Sequence, residues 1–201
     1  MDAEVRRLIY GRASGRIEDQ LILQCAPLIA GFRIASLLII HRTQLRGIYG
    51  ILRDSAICYY VLYVTGERGV VLLYHPGRLT GYLGKDAVGK FLADAGYPVC
   101  RLEEILLIFR QRYRDYHRGI REFPHELGVI LGYPIEDVRG FIRHKGKDPL
   151  YAGYWKVYAD APAKKELFGM FELAREMLAE LLRNGADIRD IIENYSGNEW
   201  T

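Results

Sequence analysis

Residues 123–158, FPHELGVILGYPIEDVRGFIRHKGKDPLYAGYWKVY, place two proline-started segments ahead of a short aromatic run, and this order decides the fold class. Pro124 and Pro134 each suit the first turn of a helix, where the missing amide hydrogen is not needed, and Gly132 stops the first of the two. Glu136 and Asp137 follow Pro134, in the turn where carboxylates favour the positive end of the helix dipole. Gly153–Tyr158 is short, aromatic and bounded by turn-forming residues, which predicts a strand. Its period of two sets Tyr154, Lys156 and Tyr158 on one face and Trp155 with Val157 on the other.

Outward from this stretch, Ile57–Val64 and Val70–Tyr74 read as a hairpin about a Gly66-containing turn, and Ala35–Ile40 as a further strand. Their nearly continuous apolar character predicts a sheet covered on both faces. Helices are predicted over residues 16–24, from Pro27 to Gly31, and over 43–53, 78–83, 86–95, 102–118 and 187–194. A longer one follows Asp160, where Leu167, Phe171, Ala174, Leu178 and Leu181 repeat at helical spacing. The expected fold is α/β, a small, at least partly antiparallel sheet of about four strands wrapped by seven or more helices. One domain over residues 1–201 is expected, with residues 1–15 an appendage and 195–201 a frayed tail.

Composition narrows the function classes. Half of the 201 residues are hydrophobic and 26% are charged, so disorder is excluded, and a net charge of +3 leaves no strong footprint for nucleic acid. The apolar run from Leu21 to Ile40 is broken by Gln24, Pro27, Gly31, Arg33 and Ser36, which argues against a membrane span. Cys25, Cys58 and Cys100 form no C-x-x-C pair and are odd in number, as expected of a reducing cytoplasm. No set of residues has metal-ligand spacing, and the sequence leaves the identity of any cofactor open.

The segments FPHE, LGYP-x-EDV-x-GFI and GYWKVY, together with CAPLIAGFRIASLL at Cys25–Leu38, resemble the bacterial domain-of-unknown-function family numbered 3793. The resemblance covers most of the chain and implies a shared order of segments, but no activity. It also implies a histidine before the cysteine and a lysine after the glycine, where this chain has Gln24 and Arg33.

Five constellations invite a chemical reading. Gly84–Phe91 follows the phosphate-loop pattern until Phe91, where a magnesium-binding Ser or Thr is required, and a helix is predicted where the pattern needs a strand. The pattern is therefore rejected. Cys25 precedes the helix expected at Pro27, which would lower its pKa and make it a nucleophile; the alternative is an ordinary buried thiol. His125 and Glu126 sit in the turn after Pro124 and could move protons, or only cap the backbone. Lys156 between Tyr154 and Tyr158 could hold a flat anionic ligand, with Arg33 as a further cation, or snorkel from a covered face. Arg110, Arg112, Arg114, Arg118 and Arg121, interleaved with Tyr113 and Tyr116, could grip phosphates. The nine acidic against five basic residues from Asp160 onward could instead neutralise that run.

Two functions follow. One is a non-catalytic module binding a small anionic or cofactor-like molecule, or a protein partner, beside GYWKVY. The other is a thiol-dependent enzyme in which Cys25 attacks and His125 or Glu126 transfers protons.

Overall fold

A computed structural model describes residues 15–98 and 101–196. The chain is α/β with antiparallel sheets; five strands and nine α-helices lie among the described residues. Contacts divide it into two compact units, the described residues before Pro76 together with those from Phe171 onward, and Pro76–Met170.

The first unit begins with α1 (Ile17–Ile29), whose Leu21, Ile22, Cys25, Leu28 and Ile29 recur on one helical face and are buried. The helix expected to stop near Gln24 runs on, with Pro27 inside it. Proline removes a single helical hydrogen bond, and here it does so in the last turn, where Pro27, Leu28 and Ile29 gain burial in return. Gly31, at φ 76°, then ends the helix, and the Arg33 amide folds back on the Pro27 carbonyl at 3.0 Å.

Three strands follow: β1 (Ala35–His41), β2 (Cys58–Thr65) and β3 (Arg68–Tyr74), antiparallel in the order β1-β3-β2. A 3-10 turn at Arg42–Gln44 and α2 (Leu45–Leu52) connect β1 to β2. Gly66, at φ 48°, takes the first central position of the tight β2–β3 turn, which a side chain would strain. Central β3 is buried from Gly69 to Leu73, whereas β2 exposes Cys58, Tyr59, Val64 and Thr65. The expectation of a sheet covered on both faces thus fails at β2, whose two ends are exposed, while β1, the other edge strand, is largely buried with α1 packed on it.

The core of this unit gathers Leu21, Leu28, Leu38, Ile40, Ile48 and Leu73 with residues of two later helices. These are α8 (Ala161–Arg183), whose residues from Phe171 onward belong here, and α9 (Ile188–Ser196), which packs against α1 and α2. Gly185, at φ 90°, separates them as the Asn184-Gly185 pair predicts. The expected frayed tail falls partly in α9, with residues 197–201 outside the described residues, as are 1–14 of the expected appendage.

The second unit holds α3 (Pro76–Leu83), α4 (Asp86–Asp94), α5 (Leu102–His117), α6 (Glu126–Ile130), α7 (Ile135–Arg143) and residues 161–170 of α8. Its two strands, β4 (Tyr151–Ala152) and β5 (Lys156–Val157), pair antiparallel. The predicted strand Gly153–Tyr158 is therefore strand only at Lys156 and Val157, with Gly153, Tyr154 and Trp155 linking the two strands. Helix α3 occupies the place where a phosphate loop needs a strand, and Phe91 is half-buried within α4.

Candidate functional site

In the first unit, α1 presents Gln24 and Cys25 to the outer edge of β1. An edge strand leaves alternate amides and carbonyls unpaired, and here side chains complete them. The Gln24 amide nitrogen donates to the Ile39 carbonyl at 2.9 Å, and the Ile39 amide donates to the Gln24 side-chain oxygen at 2.9 Å. The Cys25 thiol lies 3.8 Å from the Leu37 carbonyl, and the His41 amide donates to Gln44 Oε1 at 3.0 Å.

Cys25 therefore sits in the closing turns of a helix, not ahead of a helix start, and it is fully buried. Burial pushes its thiol up to about 12, against the opposing pull of the Arg33 guanidinium. The expected lowering is reversed in direction. Cys58, by contrast, is exposed at the start of β2, and Cys100 lies outside the described residues. Arg33 is half-buried, its guanidinium carbon 6.0 Å from the centre of the Phe171 ring.

In the second unit, Glu126 and His125 separate in role. Glu126 is 8% exposed, and its Oε1 accepts both the Tyr97 hydroxyl and Arg112 Nη1 at 3.0 Å. The Arg112 guanidinium also lies 4.3 Å above the Tyr97 ring. Burial, with the Glu126 charge beside it, pushes the Tyr97 phenol far up, so this hydroxyl stays a donor. His125 stands outside this network, between the Phe123 ring at 5.6 Å and the Phe141 ring at 5.7 Å, and burial holds its pKa below the ordinary value.

The GYWKVY segment is organised by a residue whose sequence position marks it only as a helix-start charge. Asp137, in the first turn of α7, is 2% exposed. Its Oδ2 accepts Trp155 Nε1 at 2.8 Å, and its Oδ1 accepts the amides of Tyr158 at 2.7 Å and Ala159 at 3.1 Å. Trp155 is half-buried, stacked on Tyr133 at 4.7 Å and edge-on to Phe168 at 4.6 Å. Gly140 permits the close approach of α7 to this segment, since a Cβ there would lie 2.4 Å from Tyr158 Cβ. The missed signal is the pairing of Asp137 with Gly140, a carboxylate and a bare position one helical turn apart, facing a partner that brings backbone donors.

Of the proposed ligand-binding residues, Tyr154, Lys156 and Tyr158 all belong to this segment, whereas Arg33 belongs to the first unit. Tyr154 lies against the Phe168 ring at 5.4 Å. Lys156 Nζ donates to the Gly146 carbonyl at 2.9 Å, and the Tyr158 hydroxyl donates to the Lys147 carbonyl at 3.1 Å. The cation and the phenol thus brace the loop between α7 and β4. Lys145, Gly146 and Asp148 in that loop have φ of 52°, 71° and 50°, and His144 stacks on Tyr158 with an interplanar angle of 20°.

Arg143 at the end of α7 and Lys145 and Lys147 of the braced loop are all exposed. Among the described residues, no ion pair involves any of the three. Of the arginine run, Arg112 is committed to Glu126 inside the same unit. No group of three or more His, Cys, Asp or Glu among the described residues is placed to hold a metal ion, and no helix among them is long and apolar enough to cross a membrane.

Searches of curated proteins and of solved structures return no match to the chain. A family model does match, over residues 21–192, and its description is Protein of unknown function (DUF3793). It spans most of α1, the three-stranded sheet, the Asp137-centred segment and more than half of α9, which is the bulk of both units. The chain belongs to the DUF3793 family.

Proposed function

We propose that this protein is a non-catalytic binding module that takes an anionic group on the loop between α7 and β4. The observation that carries the reading is the loop itself: Arg143, Lys145 and Lys147 are exposed on a backbone held from behind by Lys156 and Tyr158. A loop already fixed in shape loses little entropy when a ligand arrives, and charges that lack an internal partner attract an external one. The module reading also fits Cys25 and Glu126, whose reactive atoms are taken up by contacts within the fold.

Titration with pyrophosphate, followed by amide chemical shifts, tests the reading. Shifts confined to residues 143–148 and 156–158 are expected. Affinity should fall about tenfold in the Lys145→Ala/Lys147→Ala variant and weaken as salt is raised. Absence of shifts at low ionic strength, or shifts untouched by the double substitution, would remove the anion site.

A further inference from the structure

The loop that offers cations also offers aliphatic side chains. Leu150 is 65% exposed and Ile142 is 38% exposed, and between them in sequence lie Arg143, Lys145 and Lys147. The backbone at Leu150 is held, because its amide donates to the Val157 carbonyl at 2.9 Å. A single exposed leucine on a protein surface needs no explanation, but two exposed aliphatic side chains flanking three exposed cations within nine residues offer a protein partner apolar area and charge together.

The aromatic residues of the same region bear on the class of partner. A nucleic-acid site of this size stacks bases on open ring faces. Here the Tyr158 ring is stacked with His144 at 5.3 Å, and the Tyr154 ring is packed against Phe168. What remains to be contacted is three cations and two aliphatic side chains, with the exposed Asp148 as the single carboxylate of the loop.

We infer that the partner at this loop is an acidic, amphipathic protein segment, one that sets carboxylates against Arg143, Lys145 and Lys147 and aliphatic side chains against Ile142 and Leu150. This rests on the anion-binding reading above and adds the apolar half of the contact. Charge alone would be satisfied by any polyanion, so the experiment separates the two contributions.

The probe is a fluorescein-labelled peptide with glutamates and leucines at helical spacing, compared by anisotropy on the full chain with an oligoglutamate of equal charge. The mixed peptide should bind at least about tenfold tighter, since burying one leucine side chain is worth that much. Leu150→Ser should abolish most of this advantage while leaving oligoglutamate and pyrophosphate binding unchanged. Equal affinity for the two peptides, or an advantage untouched by Leu150→Ser, overturns the inference and leaves the anion site standing. Tighter binding of a single-stranded oligonucleotide than of the mixed peptide overturns it too. Failure of both peptides and of pyrophosphate overturns the inference and the anion site together.

Discussion

The three-stranded sheet and the β4–β5 hairpin are both antiparallel, yet they are stabilised by opposite means. Strand β3 is fully buried across Val71, Leu72 and Leu73, and apolar area holds it between two neighbours. The hairpin has two residues in each strand and cannot be stable alone. It is fixed instead by one buried carboxylate, whose two oxygens take three donors from Trp155, Tyr158 and Ala159. A long strand can be specified by area, which is forgiving of detail. A short one needs directional bonds, which are not.

The largest effect is therefore expected at Asp137. Asp137→Ala strands three donors and should cost about 3 to 5 kcal/mol in urea unfolding, at roughly 1 to 3 kcal/mol for each buried group left unpaired. A loss below about 1 kcal/mol would show that the hairpin is held by its aromatic contacts alone. Its apolar counterpart is Leu72→Ala in β3, a fully buried side chain whose truncation should cost about 2 to 5 kcal/mol. Should Leu72→Ala prove harmless, the sheet would not rest on area as argued.

A smaller effect is expected where the sheet borrows the hairpin's method. Gln24→Ala removes both bonds to Ile39 and should cost about 1 to 3 kcal/mol. Hydrogen exchange at the Ile39 amide should quicken while the amides of β3 stay protected; unchanged exchange at Ile39 would refute the clamp.

Brief iodoacetamide treatment at neutral pH should modify Cys58 and spare Cys25, whose thiol stays protonated because burial pushes its pKa up to about 12. Mass spectrometry showing equal labelling of the two in the folded protein would contradict the burial.

The mildest effect is a pH dependence confined to the second unit. Burial lowers the pKa of His117 and of His125 below the ordinary 6.5. The unfolded chain then binds more protons than the folded one as pH falls through about 6.5, so stability declines there and levels off below the folded values. Above that range the two imidazoles are neutral in both states and contribute no slope. A His117→Asn/His125→Asn variant should flatten the decline, and an unaltered profile would assign it to other groups.

Hydrophobic patterning and turn residues make most of the helices and the three strands of the larger sheet legible in the sequence, but not the order β1-β3-β2. Gly132, Gly185 and Asp160 punctuate the chain where their residue types predict, and the Asp160 side chain accepts the Ala163 amide at 3.4 Å at the start of α8. Pro27 misleads, because a proline in a last turn removes a bond that a helix can spare, and sequence carries no measure of the burial gained beyond it. Trp155 reads as a strand residue because alternation cannot be told from a turn over six residues. Glu126 and Asp137 read as dipole charges, which is correct by position and incomplete by contact. Their partners, Tyr97 and Arg112 for one and the hairpin backbone for the other, lie 14 to 29 residues away for Glu126 and 18 to 22 for Asp137, and no local pattern joins them.

The side-chain clamp on β1 also bears on how this protein could fail. A sheet grows into an aggregate by recruiting a foreign strand onto a vacant edge, and recruitment needs free amides and carbonyls in register. At Ile39 both groups are already taken by Gln24, and Leu37 and His41 on either side are engaged by Cys25 and Gln44. Templated growth from the β1 side must first peel α1 away, so the helix that builds the core of the first unit also acts as a guard against self-assembly into fibrils.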